Sequence, residues 1–144
     1  MLIAEVLRRK GSLVATVTPD SSVALAVRRL AEHAVGALVV SADGAHIDGI
    51  VSERDVVRHF DRVGARLLDE SVRMIMTADV RTCSPNDRVD DLMVVMTEHR
   101  IRHVPVLEGG ALVGIVSIGD VVKSRVDDLE GERNDLIAYV TRGG

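Results

Sequence analysis

Apolar residues recur along the chain in blocks whose spacing alternates between a helical and a strand-like period. Val23, Val27, Leu30 and Ala34 fall three or four residues apart, and Val89, Leu92, Met93 and Met96 share one helical face. That spacing predicts one buried stripe on each of two helices. Val-rich runs predict strands at Leu13–Val17, Gly36–Ser41, Val80–Cys83 and His103–Leu107, with further strands over Ile47–Val51 and Leu112–Val116. Pro19 and Pro85 close the strands that precede them, because proline has no N–H to give a ladder. Asp43-Gly44 and Gly109-Gly110 are dipeptides that suit the positive φ of a hairpin turn. Short leading helices are predicted at Ile3–Lys10 and Val72–Met76.

These elements come in the same order twice. GIVSERDVV (Gly49–Val57) and GIVSIGDVV (Gly114–Val122) share seven of nine letters at an offset of 65. Upstream the offset is 66, pairing Thr18-Pro19 with Ser84-Pro85, Val23 with Val89 and His33 with His99. The leading IAEVL (Ile3–Leu7) also resembles VRMIM (Val72–Met76). One unit of about 55 to 60 residues is therefore used twice. A copy that small cannot bury its own apolar face, so the copies should pack on each other. The predicted fold class is α+β: β-α-β-β-α twice, with mixed sheets. Its expected divisions are residues 1–66, residues 67–126 and a C-terminal helical extension over 127–144.

Composition narrows the function. Hydrophobic residues make up 47% and aromatic residues 1%, so the core must be aliphatic and any bound base must lie against aliphatic side chains. A net charge of −4 argues against a general nucleic-acid binder. The single cysteine, Cys83, can form neither an internal disulfide nor a Cys-rich zinc site, which makes a reducing cytoplasm the expected location. No apolar run approaches the roughly 18 residues of a membrane helix, and the first residues do not read as a signal peptide. The five histidines show no metal-binding spacing, and no catalytic or phosphate-loop motif is present, so neither a metal site nor an enzyme is expected.

Ser and Asp three residues apart, at the start of a predicted helix, read first as a capping box. Two features point further. Both copies carry the shorter Asp (Asp55 and Asp120) where a capping box favours Glu or Gln. The residues between also change freely, Glu-Arg against Ile-Gly, while Ser and Asp stay. A helix N-terminus suits a ribose-phosphate, and a carboxylate can accept from the two hydroxyls of a ribose.

The two GIVSxxDVV phrases and the stretch HRIRHVPVL (His99–Leu107) resemble a tandem pair of CBS domains, a Bateman module, across essentially the whole chain. The resemblance implies a regulatory module that binds adenosine-containing ligands such as AMP, ATP or NAD(H), with no catalysis of its own. It further implies two clefts, each combining the Ser-Asp pair of one repeat with strand residues of the other. In the first, Asp55 and Ser52, with Arg54 beside them, would face Thr77, Val80, Ile101, Arg102 and His103. In the second, Asp120 with Ser117, Ile118 and Gly119 would face Ser12, Val14, Val35, Gly36 and Ala37. Arg102 and His103 would hold phosphates in the first cleft, His103 gaining a donor below its ordinary pKa near 6.5; the second cleft offers no fixed charge. His99 and Arg100 are explained by a helix end, where cations complement the dipole. A scaffold with vestigial clefts is the alternative.

Beyond Asp120, Val122, Leu129 and Leu136 recur every seven residues, with Val126, Arg133 and Val140 between them, interrupted by Gly131 and Arg133. This resembles a short coiled-coil seam. With the tendency of CBS pairs to dimerise, it implies a homodimer contact. The regulated partner protein is not legible.

Overall fold

A computed structural model describes residues 1–143. The first half holds α1 (Ile3–Lys10), β1 (Thr16–Val17), α2 (Val23–His33), β2 (Ala37–Val40), β3 (Gly49–Ser52) and α3 (Glu53–Val63). Two 3-10 turns, Gly64–Asp69 and Val72–Met74, lead to α4 (Val89–His99), β4 (His103–Glu108), β5 (Ala111–Ser117) and α5 (Ile118–Gly143). In the first sheet β1 lies parallel to β2, and β2 antiparallel to β3. In the second, β4 and β5 form an antiparallel pair. The α+β architecture expected from the hydrophobic pattern is the one observed.

The repeat is copied in backbone detail. Leu2 bridges Arg88 and Ser71 bridges Ser22. The Ile3 N–H donates to Asp87 O at 2.9 Å, and its counterpart Val72 donates to Ser21 O at 2.8 Å. Helices α2 and α4 both end on a non-glycine residue in the left-handed region, Ala34 (φ 52) and Arg100 (φ 54), at matching positions.

Two expected strands are shorter than the pattern suggested. Leu13 and Val14 fall outside β1, and Leu13 is 85% exposed because the register would set it opposite Gly36, before β2 begins. Val80–Cys83 is no strand at all; only Cys83 bridges Val106. The reason lies across the ladder. In the first half the Val39 N–H donates to Ala15 O, but the matching position in the second half is Pro105, which has no donor. One bond is lost, and the strand shrinks to the pair Cys83 N–Pro105 O and Leu107 N–Cys83 O. The leading helix at Val72–Met76 is likewise a single 3-10 turn, Val72–Met74. Asp43-Gly44 lies in an irregular loop of bends and not in a tight hairpin turn.

Each half completes its core with a leading segment. One cluster joins Ile3, Val6 and Leu7 of α1 to Val89, Leu92, Met96, Val104, Val106, Val116 and Val121 of the second half. The other joins Leu67, Val72 and Ile75 to Val17, Val23, Ala26, Leu30, Leu38, Val40 and Val51 of the first. So α1, which leads the first repeat, packs in the core of the second. The glycine of each repeated phrase is where a leading segment crosses a strand. A Cβ on Gly114 would lie 2.7 Å from Leu7 Cδ2, and one on Gly49 would lie 2.7 Å from Met76 Sδ and 2.8 Å from Thr77 O. Thr77 also exchanges two 2.9 Å backbone hydrogen bonds with Ile50, adding a short edge to the first sheet.

Helix α5 runs unbroken through Gly131, because a single glycine weakens a helix without stopping it. Val121 and Ser124 are buried, whereas every described residue from Leu129 onward is exposed. No helix of the described residues is long and apolar enough to cross a membrane.

The β2–β3 loop ties the halves together, since Ala45 O accepts from Leu112 N at 2.8 Å. Asp43 organises that loop, accepting from the Ala45 and His46 N–H groups at 2.8 Å and meeting His46 Nδ1 at 2.6 Å. The carboxylate of Asp43 raises the pKa of His46, and the bonds from His46 hold Asp43 well below the usual carboxylate range.

Gly49→Ala should lower stability by about 1–3 kcal/mol through overpacking, read as a lower urea midpoint. Gly114→Ala should cost less, because Leu7 is a side chain that can turn away whereas Thr77 O is backbone. For His46, a raised native pKa means its stabilising contribution is complete below the unfolded value of about 6.5 and fades as pH rises through the native value. The wild-type melting temperature should therefore fall from pH 6 to pH 8.5 by more than that of His46→Gln; parallel curves would remove the ion pair from the account.

Candidate functional site

Residues of both halves enclose a cavity of about 500 Å³. Helix α3 supplies Ser52 at its N-cap, then Glu53, Arg54, Asp55 and Arg58. The segment after the second 3-10 turn supplies Thr77, Asp79, Val80 and Arg81. The end of α4 and the start of β4 supply His99, Arg100, Ile101, Arg102 and His103. Antiparallel pairing of β2 with β3 brings Gly36, Ala37 and Ile50 onto the same wall.

The Ser-x-x-Asp phrase is a capping box in both copies. Ser52 N donates to Asp55 Oδ2 at 2.9 Å while Asp55 N donates to Ser52 Oγ at 3.3 Å. Ser117 and Asp120 repeat this at 2.9 and 3.2 Å. Ser52 Oγ adds a 3.0 Å bond to the same Asp55 oxygen. Both bonds to the Asp55 carboxylate reach Oδ2, so the box aims that carboxylate and leaves its Oδ1 free to accept.

The cavity is rich in cations without partners. Arg54, Arg58, Arg81, Arg100 and Arg102 line it against Glu53, Asp55 and Asp79, and none of the five arginines joins any of the ion pairs of the described residues. Guanidinium groups so placed present planar forks of donors to an anion. His103 differs from the sequence expectation. Burial pulls its pKa below the ordinary value and the Lys10 ammonium pulls it further, while Asp120 and Glu53 oppose this with less effect. At neutral pH the ring is uncharged and offers one donor. Its atoms would lie 3.2–3.3 Å from a Cβ on Gly36, so the glycine makes room for the imidazole.

All eight residues expected in the first cleft (Ser52, Arg54, Asp55, Thr77, Val80, Ile101, Arg102 and His103) line this one cavity. The second group is not gathered in the same way. Gly36 and Ala37 face the first cavity. Val35 lies on a separate open groove between α2 and α3, which has Glu53 as its one ionisable lining residue. Ser12 and Val14 line neither. Asp120 borders a hollow of about 140 Å³ with Val6, Arg9, Lys10, Lys123, Ser124 and Asp127, and this hollow includes neither Ser117, Ile118 nor Gly119. Arg58, Arg81, Asp79, His99 and Arg100 were not expected in the cavity. Only Arg58 had a readable signal, one helical turn beyond Arg54.

Cys83 is buried in the second core, and burial pushes its thiol up to about 12. It stays protonated at neutral pH, as a core thiol and not a nucleophile.

The CBS domain family model matches residues 5–62 and 72–127. The CBS domain-containing protein CBSX3, mitochondrial, of Arabidopsis thaliana is 38% identical over 130 residues, which are 88% of this chain; the chain spans 63% of that relative's length. The CBS-domain containing protein ATU1752 of Agrobacterium tumefaciens has a crystal structure similar to this one (TM-score 0.83, 48% identity), covering 87% of this chain and 99% of that one. The CBS domain protein PAE2072 of Pyrobaculum aerophilum, solved in complex with AMP, is similar at TM-score 0.74 and 28% identity, covering 83% of this chain and 89% of that one. Two family matches, placed on the two halves that share a fold, make this chain a tandem pair of CBS domains and a member of that family.

Proposed function

We propose that the chain is a nucleotide sensor whose 500 Å³ cavity takes an adenosine-containing ligand of the AMP, ATP or NAD type and whose occupancy is read by a partner protein. One observation carries this reading: five unpaired guanidinium groups share a cavity with a carboxylate whose Oδ1 is free. The ribose hydroxyls donate to Asp55, the phosphates meet Arg102 and its neighbouring arginines, and the base lies against Ile50, Val80 and Ile101. The AMP held by the Pyrobaculum relative supports the ligand class. The site needs no catalytic group; its work is binding. A reducing compartment such as the cytoplasm suits the free thiol of Cys83.

The capping boxes favour a second reading, a scaffold whose Ser-Asp pairs serve helix ends alone. The unpaired arginines weigh against it, because a scaffold gains nothing by gathering them.

The outer half of α5 fits self-association. Leu129, Leu136, Ile137, Tyr139 and Val140 are 47–74% exposed on a helix that has left its own module. A homodimer would cover them.

Calorimetry tests the site. Arg102→Ala should weaken AMP by about ten- to a hundredfold, the worth of a lost charge-assisted hydrogen bond, while adenosine changes little. Equal losses for both ligands would remove the phosphate from Arg102, and silence from AMP, ATP and NADH would favour the scaffold. Truncation after Asp128 should shift the protein from dimer toward monomer by light scattering; an unchanged dimer would place the interface on other helices.

A further inference from the structure

The two Ser-x-x-Asp carboxylates are built alike but stand in different company. Lys10, the last residue of α1, places Nζ 2.6 Å from Asp120 Oδ2 and 2.8 Å from Ile115 O. The side chains are partly covered, at 29% and 24% exposure, although Lys10 as a whole residue is exposed. Burial alone would raise the pKa of Asp120, but the Lys10 ammonium and the Ser117 N–H outweigh it and hold the carboxyl below its ordinary value. The lysine therefore sits on an ionised carboxylate as a fixed counter-charge.

The residue at the same distance beyond the other crossing carries the opposite sign. The leading segments correspond at an offset of 69 as far as Leu7 and Met76, and the strands after them at 66. Leu7 crosses Gly114 as Met76 crosses Gly49, and Leu2 and Ser71 make equivalent bridges. Three residues beyond Leu7 stands Lys10; three beyond Met76 stands Asp79. Asp79 can neutralise nothing on Asp55, and it lines an open cavity. The hollow at Asp120 holds about 140 Å³, below the roughly 300 Å³ at which small-molecule pockets begin.

We infer that Lys10 is a built-in occupant of the second carboxylate site, so that each chain has one open nucleotide site at Asp55 and one at Asp120 closed by its own ammonium. The count of open sites rests on the nucleotide reading above; the closure does not. Lys10 shares Asp120 Oδ2 with the Ser117 N–H, so a ligand whose hydroxyls take both oxygens of that carboxylate must displace Lys10 from both Asp120 and Ile115 O. Through α1 that would also loosen the Arg9–Asp127 pair, 3.6 Å long, which joins α1 to α5.

Lys10 and Lys123 are the chain's only lysines, and both border the same hollow. Amine acylation with succinimidyl acetate, followed peptide by peptide by mass spectrometry, therefore reports closure without any nucleotide. Lys10 should react about tenfold or more slowly than exposed Lys123, and Asp120→Asn should remove most of that protection. Equal rates in the wild type would overturn the inference. Calorimetry with ADP on the full chain then counts sites. The wild type should bind one per chain, Lys10→Met and Lys10→Gln two, and Lys10→Met combined with Asp120→Asn one again. Two sites in the wild type, or one in both folded Lys10 variants, would also overturn it. Protected Lys10 with no ADP bound by any variant would leave the closure standing and sink the nucleotide reading.

Discussion

The molecule depends on a crossing: a leading segment must lie against a strand of the phrase GIVSxxDVV with no side chain between them. Glycine at 49 and 114 permits it, and any Cβ there would meet Met76 and Thr77 or Leu7 at under 3 Å. Once the crossing is made, Ile3, Val6 and Leu7 can complete a core whose other members lie some 80 to 120 residues away in sequence. The cost of closing so long a loop grows only logarithmically with its length, whereas each fully buried aliphatic side chain contributes about 1.5–3 kcal/mol. The start of the chain is thereby stitched to its second half. Neither repeat is a self-sufficient unit.

The same crossing builds the cavity. Having passed Gly49, the segment from Thr77 to Arg81 runs along the edge of the first sheet and forms one wall of the cleft. Helix α3 forms the opposite wall, and the end of α4 and start of β4 supply the third. Asp55 and Arg102 thus come from different repeats, and their separation is set by how the two halves pack. A ligand that touches both would report on that packing. This is the physical basis on which a pair of CBS domains can act as a switch.

Much of this was legible in the sequence because duplication displays it twice. The helices at Val23 and Val89, the paired strands and the Ser-Asp caps each had a partner copy against which to be read. What failed did so where the copies diverge or where contacts are distant. Pro105 lies across the sheet from Val80–Cys83, and nothing local to that run shows that it will find no donor. Gly36 and Ala37 were expected beside Asp120 because the CBS resemblance implies a second cleft; in the structure they line the first cavity, where pairing with β3 brings them. Arg100 was explained as a helix end. It is one, in the left-handed region, yet its side chain borders the cavity. The uncharged state of His103 comes from burial and from Lys10, which is 93 residues distant in sequence.

A repeat preserves backbone and leaves charge free to change. Both caps, both crossings and both left-handed helix ends are kept, because each is a condition for the chain to close on itself. Side chains that fill the clefts answer to no such condition. Arg102 corresponds to Gly36 and His103 to Ala37, and Lys10 stands as far beyond one crossing as Asp79 stands beyond the other. Each of the first two pairs adds a polar or cationic group to the first cavity without filling it, because the small residue faces the same space. The third leaves Asp55 bare and Asp120 paired. Capping and binding are not competing accounts of the Ser-x-x-Asp phrase. The cap, present in both copies, fixes the direction of a carboxylate, and Lys10 gives the second carboxylate a counter-charge that the first lacks.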